Sequence, residues 1–264
     1  MTIKTDIQIK PLIHCITNPI SINQCANAIL AVGAKPIMAE HPKEVAEITR
    51  TADALLLNIG NITDARMKAM PISLIEATKK NIPVVLDVVG LACSSLRRKF
   101  VGKMIKKAIP TVIKGNYSEI FAMYNEKYRS SGVDADSSVD EESAKKAAIR
   151  LARKYNTIIL ATGKKDIVTD GKRLIYINNG TEQLSSVTGT GCMLGALCAS
   201  HMAMDSSLNS VIYACALLSI SGELSETILG NAAFMQKLMD TLASITKADI
   251  KKYLKTEEKN VDEV

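Results

Sequence analysis

Pro83-Val84-Val85-Leu86-Asp87-Val88-Val89-Gly90 is the stretch that decides the fold. Its apolar residues do not alternate with polar ones, and the run breaks only at an aspartate and then at a glycine. Ala54-Leu55-Leu56-Leu57-Asn58-Ile59-Gly60 has the same layout. A strand that is apolar on both sides has to be covered on both faces, as in a parallel sheet with helices packed above and below it. Further strand-length runs lie at 12–16, 35–39, 112–114, 157–161 and 166–169, beside 54–58 and 84–88, and helix-length patterns separate most of them. The chain therefore reads as one α/β domain over 1–264, doubly wound, with a mostly parallel central sheet flanked by helices on both faces.

Beyond Thr190 the pattern turns almost wholly helical, through 192–204, 207–225, 232–244 and 247–253, and the charged tail 255–264 is expected to fray. The stretch 128–140 is polar and rich in breakers, which predicts a mobile loop ahead of a helix over 141–155 capped by Asp140.

Each apolar run ends in a polar or glycine-bearing tip: Asn58-Ile59-Gly60, Asp87-Val88-Val89-Gly90, Lys114-Gly115-Asn116 and Thr162-Gly163. Ligands of open parallel sheets lie beyond the carboxyl ends of the strands, so these four tips are candidates for one cleft. A fifth element joins them. Ser186-Val187-Thr188-Gly189-Thr190-Gly191-Cys192-Met193-Leu194-Gly195-Ala196 is a small-residue turn opening into an apolar helix, where backbone N–H groups converge on a place suited to an anion. The plainer alternative is a helix-start turn with a buried cysteine.

Asp87 and Glu119 are the carboxylates best placed for the cleft. Asn116 and Glu119, three residues apart, share a helix face and are able to address a hydrated Mg²⁺; the same pair also reads as an N-cap and its capping-box partner, and Asp87 as a turn former. Lys114 offers a fixed positive charge for a transferring phosphoryl group or is solvated at the sheet edge. Thr162-Gly163 suits a nucleotide phosphate or an ordinary exit turn. No Gly-x-x-x-x-Gly-Lys-Ser/Thr run and no protein-kinase signature occurs in the sequence.

Composition narrows the function classes. Apolar residues make up 47% and charged residues 23%, within the globular range, while 4% aromatics with no Trp leaves too few rings for nucleic-acid stacking. The net charge of +6 arises largely in Arg97-Arg98-Lys99, in lysines between 103 and 107 and in Lys145-Lys146, clusters spaced like solvated helix faces. The 6 cysteines form no C-x-x-C pair and read as reduced thiols, with neither a disulfide framework nor a zinc site. The first residues, Met1-Thr2-Ile3-Lys4-Thr5-Asp6, lack an apolar targeting core, and no window of 18 uninterrupted apolar residues occurs. A cytoplasmic protein with no membrane or nucleic-acid partner is expected.

With these residues in place, the chain resembles the hydroxyethylthiazole kinase family of the ribokinase-like superfamily. The resemblance runs from about Pro11 to about Leu242. It is carried by His14-Cys15-Ile16-Thr17-Asn18, Asn23, Asn27, Gly33-Ala34-Lys35-Pro36-Ile37-Met38-Ala39, Leu57-Asn58-Ile59-Gly60 and Leu86-Asp87. Gly115-Asn116-Tyr117-Ser118-Glu119, Gly132-Val133-Asp134, Thr162-Gly163 and Thr188-Gly189-Thr190-Gly191-Cys192 complete it.

The resemblance implies a ribokinase-like fold and Mg²⁺-assisted transfer of the γ-phosphoryl group of ATP to the hydroxyl of 4-methyl-5-(2-hydroxyethyl)thiazole, a thiamin-salvage reaction. It puts Met38, Gly189 and Asn18 on the thiazole, Lys114, Thr162, Asn116 and Gly163 on ATP, and Asp87 with Glu119 around the metal, partly through water. Cys192, beside Gly189 and Gly191, takes the position where related sugar kinases have an Asp base. A thiol is a poor base for an alcohol, so a positional role stays open. The resemblance further implies a homotrimer in which the Asn18 and Met38 segments meet the Cys192 segment of a neighbouring chain.

The chain departs from the family pattern at three places: Val88 stands for a proline, Lys114 for an arginine, and Gly230-Asn231-Ala232-Ala233-Phe234 for Gly-Pro-Gly-Ser-Phe. The rival readings are a hydroxymethylpyrimidine or pyridoxal-type kinase, a nucleotide-dependent dehydratase of hydrated NAD(P)H on the same fold, and a thiazole-binding protein without catalysis.

Overall fold

The computed structural model describes residues 10–129 and 139–261. The motif Gly132-Val133-Asp134, most of the loop expected at 128–140, and the first and last residues of the chain lie outside the described residues. The first half runs β1 (Leu12–Ile16), α1 (Ile22–Ala31), β2 (Lys35–Ile37), α2 (Val45–Thr51), β3 (Ala54–Asn58), α3 (Asp64–Lys79), β4 (Val84–Asp87), α4 (Ser95–Ile105), β5 (Val112–Asn116) and α5 (Tyr117–Tyr124). The second half continues with α6 (Glu141–Tyr155), β6 (Ile158–Thr162), β7 (Asp166–Thr169), β8 (Arg173–Ile177), α7 (Glu182–Ser185), α8 (Thr190–Met202), α9 (Leu208–Ser225), α10 (Asn231–Ser244), α11 (Lys247–Tyr253) and β9 (Thr256–Asn260).

These strands form one sheet in the order β2-β1-β3-β4-β5-β6-β7-β8-β9. The first six pair in parallel and the last three are added antiparallel. Side chains along each strand alternate between two cores, as the pleat requires. Leu56 and Val85 join a core with α1, α8, α9, α10 and α11. Leu55, Leu57, Val84 and Leu86 join another with α2, α3, α4, α5 and α6. This is the doubly wound sheet expected from the unalternating runs, and each buried Leu or Val contributes about 1.5–3 kcal/mol.

Two strands lie beyond the runs picked out in the sequence. Arg173–Ile177 pairs with β7 across Asp170-Gly171, a strong hairpin signal that makes this strand readable after all. The tail expected to fray is instead the edge strand β9, whose five side chains are all exposed. Main-chain pairing with β8 holds it, aided by Arg173 Nε on Glu258 at 2.8 Å and Asn178 N donating to Lys255 O at 2.8 Å. Such a strand buries nothing apolar and so leaves no hydrophobic pattern.

Helix α9 is long and apolar enough to cross a membrane by length and composition, but 72% of it is buried inside the protein. It is a core helix. All six cysteines are free, four of them buried, as the absence of paired spacing led us to expect.

Candidate active site

The carboxyl ends of β1, β3, β4, β5 and β6 lie side by side, because the sheet order makes each the neighbour of the next. Asn58 stands in register with Asp87, Asp87 with Lys114, and Asn116 with Thr162. The four tips singled out in the sequence thus line one edge of the sheet.

Across that edge runs a hydrogen-bonded set of buried polar side chains. Lys114 Nζ lies 3.3 and 3.2 Å from the two oxygens of Asp87. Asn58 Nδ2 donates to Asp87 Oδ2 at 3.0 Å, and Asn58 Oδ1 accepts from Asn18 Nδ2 at 3.0 Å and from Gly60 N at 2.9 Å. Asn18 Oδ1 in turn accepts from Ile20 N and Ser21 N, closing the β1–α1 turn. Both amides also aim a donor at Cys192 Sγ, Asn18 at 3.4 Å and Asn58 at 3.2 Å. Burying so many polar groups is tolerable because each is satisfied.

Helix α8 begins directly over this set. Gly189 caps it with φ of 100°, a left-handed conformation that suits glycine. A Cβ on Gly191 would stand 3.5 Å from Lys114 Nζ, and one on Gly195 3.2 Å from Leu56 Cδ1 and 3.4 Å from Asp87 Oδ2. The glycines let the helix start press onto the strand tips, so its unpaired N–H groups and the Lys114 ammonium share one small region.

Charge at the site follows from this burial. Burial lifts the Asp87 carboxyl above its ordinary range, opposed by Lys114 and by the amide of Asn58. For Lys114 burial acts against the charge, but Asp87, Cys192 and Glu119 outweigh it and raise the ammonium's pKa. Glu119 is pushed up to about 7, by burial first and then by Asp87.

Glu119 is where both of its sequence readings pointed, at the tip and in a capping box. Its Oε2 accepts from Asn116 N at 2.7 Å while Asn116 Oδ1 accepts from Glu119 N at 2.9 Å, and its Oε1 reaches across to Gly90 N at 2.6 Å. At the last tip, Thr162 is half-buried and Gly163 is exposed, with Gly163 N donating to Asp166 Oδ1 at 3.1 Å. Gly163 lies flat against the Tyr117 ring, where a Cβ would come within 2.5 Å of Cζ.

The structure therefore brings together Asn18, Asp87, Lys114, Gly189, Gly191 and Cys192 and sets Asn116, Glu119, Thr162 and Gly163 on the adjoining tips. Met38 follows β2, partly buried against the core. One expectation is corrected: Asn18 meets Cys192 within a single chain, because β1 lies next to β3 and α1 packs near the start of α8, with the Ser21 Cβ 3.3 Å from where a Gly189 Cβ would stand.

Three further residues escaped the sequence reading. Asn58 is one: a polar residue that closes an apolar strand beside Asp87 is the signal for it. Arg97 and Arg98, taken as a solvated helix face, are half-buried and grip main-chain carbonyls instead. At the Val88 departure, the Val88 N–H donates to Lys114 O at 2.8 Å, a bond that a proline is unable to make.

A parallel sheet extended by antiparallel strands, with polar strand tips under a glycine-rich helix start, is the ribokinase-like kinase layout. The pyridoxal kinase from Staphylococcus aureus, solved in complex with ADP, shares the fold with a TM-score of 0.65 at 15% identity, over 96% of this chain and 99% of that one. The hydroxyethylthiazole kinase protein from Pyrococcus horikoshii OT3 is nearer, with a TM-score of 0.87 and 35% identity over 95% of this chain and 94% of that one. The model of the hydroxyethylthiazole kinase family matches residues 3–248. "Hydroxyethylthiazole kinase 2" of Clostridium botulinum (strain Hall) is 46% identical over 254 residues, 93% of this chain and 95% of the relative. The chain belongs to the hydroxyethylthiazole kinase family.

Proposed function

We propose that the protein transfers the γ-phosphoryl group of ATP to the hydroxyl of 4-methyl-5-(2-hydroxyethyl)thiazole. The observation that carries this reading is the hydrogen-bonded set of Asn18, Asn58, Asp87 and Lys114 converging with Cys192 under the start of α8. Phosphoryl transfer asks a protein mainly for positioning and for positive charge around the moving group. The N–H groups at the start of α8 and the Lys114 ammonium supply that charge from fixed positions.

The alcohol has to lose its proton as it attacks. Cys192 is the nearest group of the set to the helix start, and two amide N–H donors converge on its sulfur and fix its place. The sulfur thereby receives or orients the hydroxyl proton, while Gly189 and Met38 flank the thiazole ring. Thr162, Gly163 and Asn116 take the nucleotide at the neighbouring tips.

Among the described residues no group of three or more His, Cys, Asp or Glu side chains stands together as a metal cage. Two carboxylates with water and substrate phosphates suit Mg²⁺, which keeps much of its hydration shell. Asp87 and Glu119 are already hydrogen-bonded on both oxygens, so they fit such an ion through water. When bound it neutralises charge on the phosphates. We assign the protein to the cytoplasm and to a homotrimer in which Met38 reaches a neighbouring subunit's Cys192 segment.

The test is a competition. With γ-labelled ATP and Mg²⁺, label should pass to the thiazole alcohol in preference to hydroxymethylpyrimidine and pyridoxal. Preferential labelling of either rival, or ATP consumption without a phosphorylated alcohol, contradicts the assignment.

A further inference from the structure

Arg97 lies near the start of α4, in the basic run Arg97-Arg98-Lys99, and its guanidinium faces the sheet edge. Nη2 donates to Gly60 O at 2.5 Å and Nη1 to Val89 O at 3.0 Å. Gly60 belongs to the tip of β3 and Val89 to the tip of β4, so one side chain ties together the two turns that follow Asn58 and Asp87.

The neighbouring tips are tied in the same manner. Glu119 joins the β4 tip to the β5 tip by accepting from Gly90 N and Asn116 N. Tyr117 joins β5 to the β6–β7 turn through its hydroxyl on Lys165 O at 2.5 Å. Among these ties Arg97 alone reaches both the Asn58 tip and the Asp87 tip. A planar guanidinium with N–H groups in a fixed fork spans two carbonyls from different strands, whereas an ammonium offers a single mobile point.

The need for such a tie comes from the turn itself. Val88 leaves its φ unconstrained, and Gly90 adopts a left-handed conformation with φ of 71°. Between Asp87 and Gly90 the backbone is held by Ile59 N on Asp87 O, Val88 N on Lys114 O, Leu91 N on Val88 O and Gly90 N on Glu119. Arg97, on Val89 O, is the one side-chain donor to a carbonyl of this turn that also reaches Gly60.

We infer that Arg97 is a positioning residue for phosphoryl transfer, holding the turns after Asn58 and Asp87 so that the Asn58–Asp87 contact keeps its geometry. The inference rests on the reading that Asp87 works in transfer. Arg98, one residue on, provides the control, because it grips Ala92 O, later in the same turn, and Ala122 O in α5, and bonds neither Gly60 nor the 87–90 backbone.

The experiment compares Arg97→Lys and Arg98→Lys by steady-state kinetics on the thiazole alcohol with Mg-ATP, alongside thermal midpoints and amide hydrogen exchange at 88–90. Arg97→Lys should lower kcat by about 10–100-fold, the scale of a small misplacement of a reacting group, with KM for the alcohol within about twofold and faster exchange at 88–90. Arg98→Lys should leave kcat within about twofold. If Arg97→Lys keeps wild-type kcat, or both variants lose it equally, the inference is overturned. Should Arg97→Lys not fold, Arg97→Gln is read in its place. Asp87→Asn separates the two failures: if it keeps full turnover the reading of the site falls and this inference with it, whereas loss in Asp87→Asn with none in Arg97→Lys removes the inference alone.

Discussion

The amide of Asn58 donates to Oδ2 of Asp87 across 3.0 Å, where β3 and β4 end side by side. Both residues are fully buried, and the same amide nitrogen also reaches Cys192 Sγ. Asn58 therefore sits between the carboxylate and the thiol and determines how each is presented to the cleft.

Replacing Asn58 with Leu keeps approximate volume and removes every one of these bonds. Asp87 Oδ2 keeps Lys114 and the Asn18 amide keeps Cys192, but Gly60 N loses its acceptor, and a buried group left unsatisfied costs about 1–3 kcal/mol. Urea unfolding should show that loss, and turnover should fall at least tenfold by the magnitude expected for a misplaced reacting group. Wild-type stability and turnover together would remove Asn58 from the site.

Cys192→Asp should retain or raise activity. The two amide donors that meet the sulfur suit a carboxylate equally well, and a carboxylate is the better proton acceptor for an alcohol. Cys192→Ala removes the second acceptor of each amide, leaving Asn18 only Asn58 and Asn58 only Asp87, and should lower kcat. Rates of labelled phosphate transfer check both, and an inactive but folded Cys192→Asp protein contradicts a base-like position.

Glu119 makes stability depend on pH. Its carboxyl is raised from 4.5 to about 7 in the fold, so between those values the native state holds a proton that the unfolded chain has released. Stability from this group is complete below about pH 4.5 and is lost as pH rises through about 7. Glu119→Gln, which never ionises, should gain on the wild type across that window when urea unfolding is followed at a series of pH values. Parallel curves contradict the assignment.

Gly163→Ala tests the nucleotide tip. The new methyl group would collide with the Tyr117 ring at 2.5–2.8 Å, forcing the ring away and breaking its hydroxyl bond to Lys165 O. Overpacking of this kind costs about 1–3 kcal/mol. The thermal midpoint should drop and KM for ATP should rise with KM for the alcohol unchanged, whereas an equal rise in both would place the tip elsewhere in the reaction.

The parallel half of the sheet was legible because burial on both faces forces unbroken apolar runs such as Leu55-Leu56-Leu57, and the tips were legible because each run closes on a polar residue. What burial does not write into the sequence was missed. Strand β9 is held by main-chain bonds with every side chain in solvent, so Thr256-Glu257-Glu258-Lys259-Asn260 looks like a tail. Arg97 and Arg98 look like a solvated face because their partners are main-chain carbonyls, which leave no mark on residue type, two of them from the turn just before α4 and two from β3's tip and α5. Glu119 was legible in two ways at once, and the capping box and the tip-to-tip bond show that one carboxylate serves both.

The most direct test of the site is a crystal structure of the protein with the thiazole alcohol and a non-hydrolysable ATP analogue. The terminal phosphate should lie against the N–H groups that open α8, the substrate hydroxyl at hydrogen-bond distance from Cys192 Sγ, and the thiazole ring between Gly189 and Met38. Phosphates bound away from the start of α8, with the hydroxyl out of reach of Cys192, would contradict it.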